Sequence, residues 1–149
     1  MPYCYFVVTP DFGDDGRARY CMLNTQQQCI FCKFGITSDA NLDTTRRGYT
    51  THNPSHRFIK IKYNANIEGV SVSIGRFPNV KTITCTADLG KVLQIVLGET
   101  GMTQVGNTEW MSTSNVDTAM AYFNYLLKFE NTEITKDSVG ALITNIFKK

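Results

Sequence analysis

The chain lacks a surplus of charge of either sign. Its 15 Lys+Arg stand against 13 Asp+Glu, leaving a net charge of +2 over 149 residues. Phosphate binding grows with the number of cations that reach the backbone. A balance this close to neutral neither requires a nucleic-acid partner nor excludes one, so any basic footprint must be local. The candidates are Arg46-Arg47 with Arg57, and Lys60 with Lys62. Long apolar runs are missing too. None approaches the roughly 20 residues of a membrane helix, so no membrane partner is expected. There is no internal repeat, low-complexity stretch or linker, and the length suits one domain spanning residues 1–149. The five cysteines are an odd number with no signal-peptide pattern ahead of them. That argues against a secreted disulfide framework, and the expectation is a soluble protein in a reducing intracellular compartment, cytoplasm or nucleus.

What is present is material for a packed core: 42% hydrophobic and 11% aromatic residues against 19% charged, too apolar for a disordered chain. Residues 3–9 are β-branched and aromatic and stop at Thr9-Pro10, which predicts a strand. Asp11 to Gly16 reads as a turn, 17–24 as a short strand, and Ile30 to Ile36 as the next apolar strand. Ser38 or Asp39 is positioned to cap a short helix reaching about Tyr49, ended by Gly48 and Asn53-Pro54. Arg57 to Tyr63 alternates apolar and basic residues, as an edge or half-buried strand does. Val70 to Ile74 and Val80 to Cys85 predict two short strands about a turn at Gly75 to Pro78.

The period then changes from strand to helix. Leu89, Val92-Leu93 and Val96-Leu97 fall at helical spacing, with Thr86 or Asp88 as cap and Gly98 or Gly101 as terminator. A helix with the stripe Val116, Met120, Phe123 and Leu126-Leu127 is capped by Ser114. A last one with Val139, Leu142-Ile143 and Ile146-Phe147 is capped by Thr135. Strands first and helices last predict an α+β fold, with a small antiparallel sheet, flanking helices and a C-terminal helical part at about 114–149.

Several residues now fall into a pattern. Tyr3-Cys4-Tyr5 lies on the first strand and Lys33-Phe34-Gly35 on the next. A polar turn, Arg46-Arg47, Tyr49 and Asn53-Pro54 follow, and Thr108-Glu109-Trp110-Met111 comes later. This order resembles the GIY-YIG nuclease superfamily, in particular a phage and large-DNA-virus branch whose second motif begins with Lys. The resemblance covers about half the chain and implies a GIY-YIG-like fold, hydrolysis of DNA and a viral association. A phosphodiester-cleaving site needs a group to activate water, a cation for the developing charge and a carboxylate for the metal. By resemblance, Tyr5 activates or orients the water and Lys33 stands beside it. Arg46 or Arg47 stabilises the transition state with the paired donors of a guanidinium. His52 and Arg57 contact phosphate, while Tyr3, Gly35, Glu109 and Trp110 complete the structural motif. The implied cofactor is Mg²⁺ or Mn²⁺.

One position departs from the pattern. The resemblance places the metal-binding Glu on the helix after the strands, and Gly90 stands there, with Gln94 where a His is expected. Glycine offers no oxygen ligand. Gly90, read as mid-helical, also costs about 1 kcal/mol against Ala. The active site therefore reads as degenerate, with Asp88, Glu99 and Glu109 as the nearby carboxylates. The segment joining the motif strands, about 10–28, is longer than the family hairpin and reads as an insertion of the kind that carries binding.

Blander readings stand beside these. Tyr3 and Tyr5 share a strand face, where tyrosines commonly pack. Lys33 can protect a sheet edge, and Arg46-Arg47 can be a solvated helix face. His52 and His56 lack the companions of a metal site. Cys29-Ile30-Phe31-Cys32 is a lone C-x-x-C on a strand, for which buried free thiols are the default. The function expected is nucleic-acid or protein binding by a GIY-YIG-like domain without metal-dependent cleavage. The alternatives are an active metal-dependent DNA endonuclease and a viral structural or assembly protein that self-associates.

Overall fold

A computed structural model of the protein describes residues 2–9, 30–51, 57–113 and 115–148. The inserted segment at 10–28, with its expected turn and strand, lies outside the described residues, as do Cys29, His52, His56 and Ser114. The architecture is α+β. In chain order it runs β1 (Pro2–Thr9), β2 (Ile30–Ser38), α1 (Leu42–Thr50), β3 (Arg57–Lys62), β4 (Ser71–Ile74) and β5 (Lys81–Thr84). It continues with α2 (Leu89–Glu99), β6 (Thr103–Gln104), β7 (Met111–Thr113), α3 (Val116–Leu127) and α4 (Val139–Lys148). Five strands form an antiparallel sheet in the order β3-β1-β2-β7-β6, and β4 and β5 form a separate hairpin.

Register sorts the sheet's side chains onto two faces, because residues directly opposite share a face and neighbours along a strand alternate. One face carries Cys4, Phe6 and Val8, opposite Ile36, Phe34 and Cys32 on β2 and with Ile61 and Ile59 on β3. Nearly all of these are buried and join one core with α2, α3 and α4. The other face carries three rows across β3, β1 and β2: Lys62-Tyr3-Thr37, Lys60-Tyr5-Gly35 and Phe58-Val7-Lys33. Aromatic and cationic side chains thus alternate on the face turned away from the main core.

The helices follow their apolar stripes. In α2, Leu89, Val92, Leu93, Val96 and Leu97 are buried, and the Asp88 carboxylate caps the helix by accepting the Lys91 amide at 2.9 Å. Gly101, at φ +101°, lets the chain turn away after the C-cap at Thr100. The cap of α3 is Asn115, which accepts the Thr118 amide at 3.1 Å. In α4, Val139, Leu142, Ile143 and Ile146 are fully buried. Each contributes roughly 1.5–3 kcal/mol of transfer free energy before chain entropy is counted. Among the described residues no helix is long and apolar enough to cross a membrane.

Four local expectations are corrected. Neither Ser38 nor Asp39 caps α1: Ser38 ends β2, and Asn41 occupies the cap position without a side-chain bond. Gly48 does not stop that helix, which continues to Thr50. Thr135 instead organises a turn before α4, its hydroxyl accepting the Asp137 amide at 3.3 Å. The strands are also not complete before the helices begin, because β7 enters the sheet beside β2 after α2.

Candidate functional site

The site begins at Lys33, the β2 side chain in the row that includes Phe58 and Val7. Its ammonium donates to the Tyr49 hydroxyl at 2.8 Å and lies 3.4 Å from a Glu109 carboxylate oxygen. It also stands over the Tyr49 and Trp110 rings, at 5.3 and 6.0 Å from their centroids. Burial pulls its pKa down, but the Tyr49 hydroxyl and Glu109 more than offset this and hold it above the ordinary lysine value. Lys33 is therefore a fixed positive charge in an aromatic frame, and not a base at neutral pH.

Tyr5 adjoins this frame. Its hydroxyl is 3.2 Å from that of Tyr49, and its ring stacks on Phe58 at 5.3 Å. Burial, then the contact with Tyr49, raise its pKa above that of an ordinary tyrosine. The hydroxyl keeps its proton at neutral pH, so it can orient a ligand or water by hydrogen bonding but does not supply a phenolate base. The space that a side chain at Gly35 would fill is taken by the Tyr5 ring and hydroxyl. This is why glycine stands in the middle of the strand.

The helix α1 covers this face through Thr45, whose hydroxyl lies 3.0 Å from that of Thr37, and through Tyr49 one turn later. Arg46 and Arg47 point elsewhere. Arg46 pairs with Asp43 at 2.8 Å, Arg47 donates to the Asp43 carbonyl, and both are exposed. Arg57 is in register with Val8, on the face opposite Lys33, and lies 5.5 Å over the Phe123 ring. The structure therefore brings Tyr5, Lys33, Gly35, Glu109 and Trp110 together. It leaves Arg46 and Arg47 exposed on α1, engaged with Asp43, and it separates Arg57 from the cluster. Tyr3 sits two residues along from Tyr5 on the same face, with the Lys60 ammonium 5.9 Å from its ring centroid.

Two residues carry more of the site than their sequence positions announce. Tyr49 joins Tyr5, Lys33 and Trp110, and its spacing of four from Thr45 was the available signal, since both then share a helix face. Gln94 bridges two backbone segments. Its carbonyl accepts the Phe34 amide at 3.2 Å, and its amino group donates to the carbonyl of Glu109. It thereby ties β2 to the segment before β7, at the place where those strands diverge. A cleft of about 690 Å³ opens there, between β2, α2 and the 104–109 loop.

Among the described residues, those at this site do not fit a divalent ion. Gly90 lies in the first turn of α2, not mid-helix, and a Cβ there would come 2.9–3.0 Å from the backbone of Gly35. The place expected for a carboxylate is therefore filled by the neighbouring strand. Of the nearby acids, Asp88 is engaged as the cap of α2 and Glu109 pairs with Lys33. Glu99 pairs with Lys81 at 3.0 Å, at the far end of the helix. Among the described residues no group of three His, Cys, Asp or Glu could hold a metal. Cys32 is fully buried, and burial pushes its thiol up to about 12, so it remains a protonated core residue. Cys4 and Cys85 are likewise buried and free.

No family model, no curated protein and no solved structure matches the chain.

Proposed function

We propose that the protein is a GIY-YIG-like domain, degenerate at its metal site, that binds nucleic acid without metal-dependent cleavage. The observation that carries the reading is the grouping of cations and aromatic rings on one sheet face: Lys60 and Lys62 beside Tyr3, with Lys33 framed by Tyr49 and Trp110 over the buried Tyr5. Cations engage phosphates and aromatic faces engage bases or sugars. Arg46 and Arg47 add exposed cations on α1, the helix that covers this face, and a guanidinium can pair with phosphate oxygens. Against hydrolysis stands the contact of Gly90 with the Gly35 backbone, which leaves no room for a ligating side chain.

The test combines cleavage and binding. Purified protein with plasmid or single-stranded DNA and Mg²⁺ or Mn²⁺ is expected to leave the DNA intact. The same DNA should bind with an affinity that falls steeply as salt rises. Cleavage abolished by both Tyr5→Phe and the Arg46→Ala/Arg47→Ala pair would make the protein an active nuclease instead. Absence of salt-dependent binding would move the face to a protein-binding or assembly role.

A further inference from the structure

Large apolar side chains left on the surface are unremarkable when scattered and informative when they gather. Among the described residues the exposed ones are Ile36, Phe77, Val80, Ile95 and Leu127. Two of these, Ile36 on β2 and Ile95 on α2, line the same cleft, at 44% and 51% exposure. They give it apolar walls contributed by different elements.

The polar lining is of two kinds. Gln94 and Gln104 are engaged within the protein: Gln94 bridges to Phe34 and Glu109, and Gln104 donates to the Thr108 carbonyl at 2.8 Å. Asn107 and Lys91 are exposed, and their side chains have no partner among the described residues. Two carboxylates line it as well, Asp88 held as the cap of α2 and Glu109 paired with Lys33, so the cleft presents two apolar surfaces, one uncommitted amide and one uncommitted ammonium. A volume of about 690 Å³ is that of a small-ligand site, too small for a duplex. Its chemistry matches a nucleotide. A base has apolar faces and an edge that an amide can read in a bidentate manner, while its phosphate takes a cation.

We infer that this cleft receives one unstacked nucleotide, its base between Ile36 and Ile95 with its edge on Asn107 and its phosphate on Lys91, so that the protein prefers single-stranded nucleic acid. The inference rests on the nucleic-acid reading above and specifies its substrate class. A base within a duplex has its faces stacked and its pairing edge occupied, and entering the cleft would require the cost of unstacking it. An unpaired strand avoids that cost. Tyr5 also lines the cleft, reaching it across Gly35.

The test measures anisotropy of a labelled single-stranded oligonucleotide and of the same sequence as duplex, with wild type, Ile95→Ser, Asn107→Ala and the Arg46→Ala/Arg47→Ala pair. Thermal melts of each variant verify folding; Ile95 and Asn107 are exposed, so little change is expected. The single strand should bind about tenfold or more tightly than the duplex. Ile95→Ser and Asn107→Ala should each remove most of that preference while duplex affinity stays unchanged. Equal affinity for both forms, or a preference that survives both cleft variants, would overturn the cleft assignment. If the arginine pair still weakened binding in that case, nucleic-acid binding itself would stand. If neither form bound with salt dependence, the underlying reading would fail first.

Discussion

Gly35 and Gly90 meet where the N-terminal turn of α2 crosses β2, and each lacks a side chain for a different reason. Gly35 yields its space to the Tyr5 ring, whereas Gly90 faces the strand backbone itself. Backbone cannot rotate aside as a side chain can, so a methyl group at 90 must displace the helix. Alanine would gain about 1 kcal/mol of helix propensity, but overpacking against an immovable neighbour costs about 1–3 kcal/mol. Gly90→Ala is expected to be less stable than wild type in urea denaturation, and Gly90→Glu less stable still. Gly98, in the same helix, is the control. A Cβ there meets only the Met111 methyl at an ordinary 3.6 Å, so Gly98→Ala should be neutral or up to about 1 kcal/mol more stable. A Gly90→Ala protein that matches the stability of the Gly98→Ala variant would show that the contact is not tight.

At the level of elements, α1 differs from the other helices in having no buried residue. It is held to the sheet by Thr45 and Tyr49, and its arginines face solvent. The Arg46–Asp43 pair is exposed and worth little. Arg46→Ala and Arg47→Ala should therefore leave stability within about 0.5 kcal/mol. Each should lower DNA affinity and reduce the salt slope by about 1, as read from anisotropy titrations. A large stability loss would instead assign them a structural role. The same contrast explains what could be read from sequence. The main strands and α2 to α4 have enough residues for their alternation or helical stripe to be visible, and the Asp88 cap was among the expected alternatives. Strands β6 and β7 hold two and three residues, too few for a period; β7 forms on the edge that β2 offers, and β6 on the edge of β7. The pairing of Lys33 with Tyr49 and Glu109 joins three distant segments and has no local signature. A glycine at position 90 was legible; the strand backbone that fills the space beside it was not.

Across the whole molecule, burial controls how stability responds to alkali. Cys4 and Cys32 are fully buried and their thiols are raised, Cys32 to about 12 from an ordinary 9.0. Burial likewise lifts Tyr63 to about 12 from 10.0 and raises Tyr5. Above pH 9 the unfolded chain releases these protons while the folded one keeps them, so unfolding is increasingly favoured as pH rises. Below that these groups contribute no pH dependence. The urea midpoint should fall progressively from pH 9 upward, and Cys4→Ala/Cys32→Ala should delay the onset toward the tyrosine range. A midpoint unchanged through pH 10.5 would contradict the burial of these groups.

The bare contact between Gly35 and Gly90 also fixes which wall of the cleft can give. With no rotamer between them, the helix turn and the strand cannot slide apart or together by side-chain adjustment, and they behave as one rigid jaw. Whatever shape the cleft must take around a guest has to come from the opposite jaw, the 104–109 loop. That jaw is tied to α2 by the hydrogen bond that the Gln94 side chain donates to the Glu109 carbonyl.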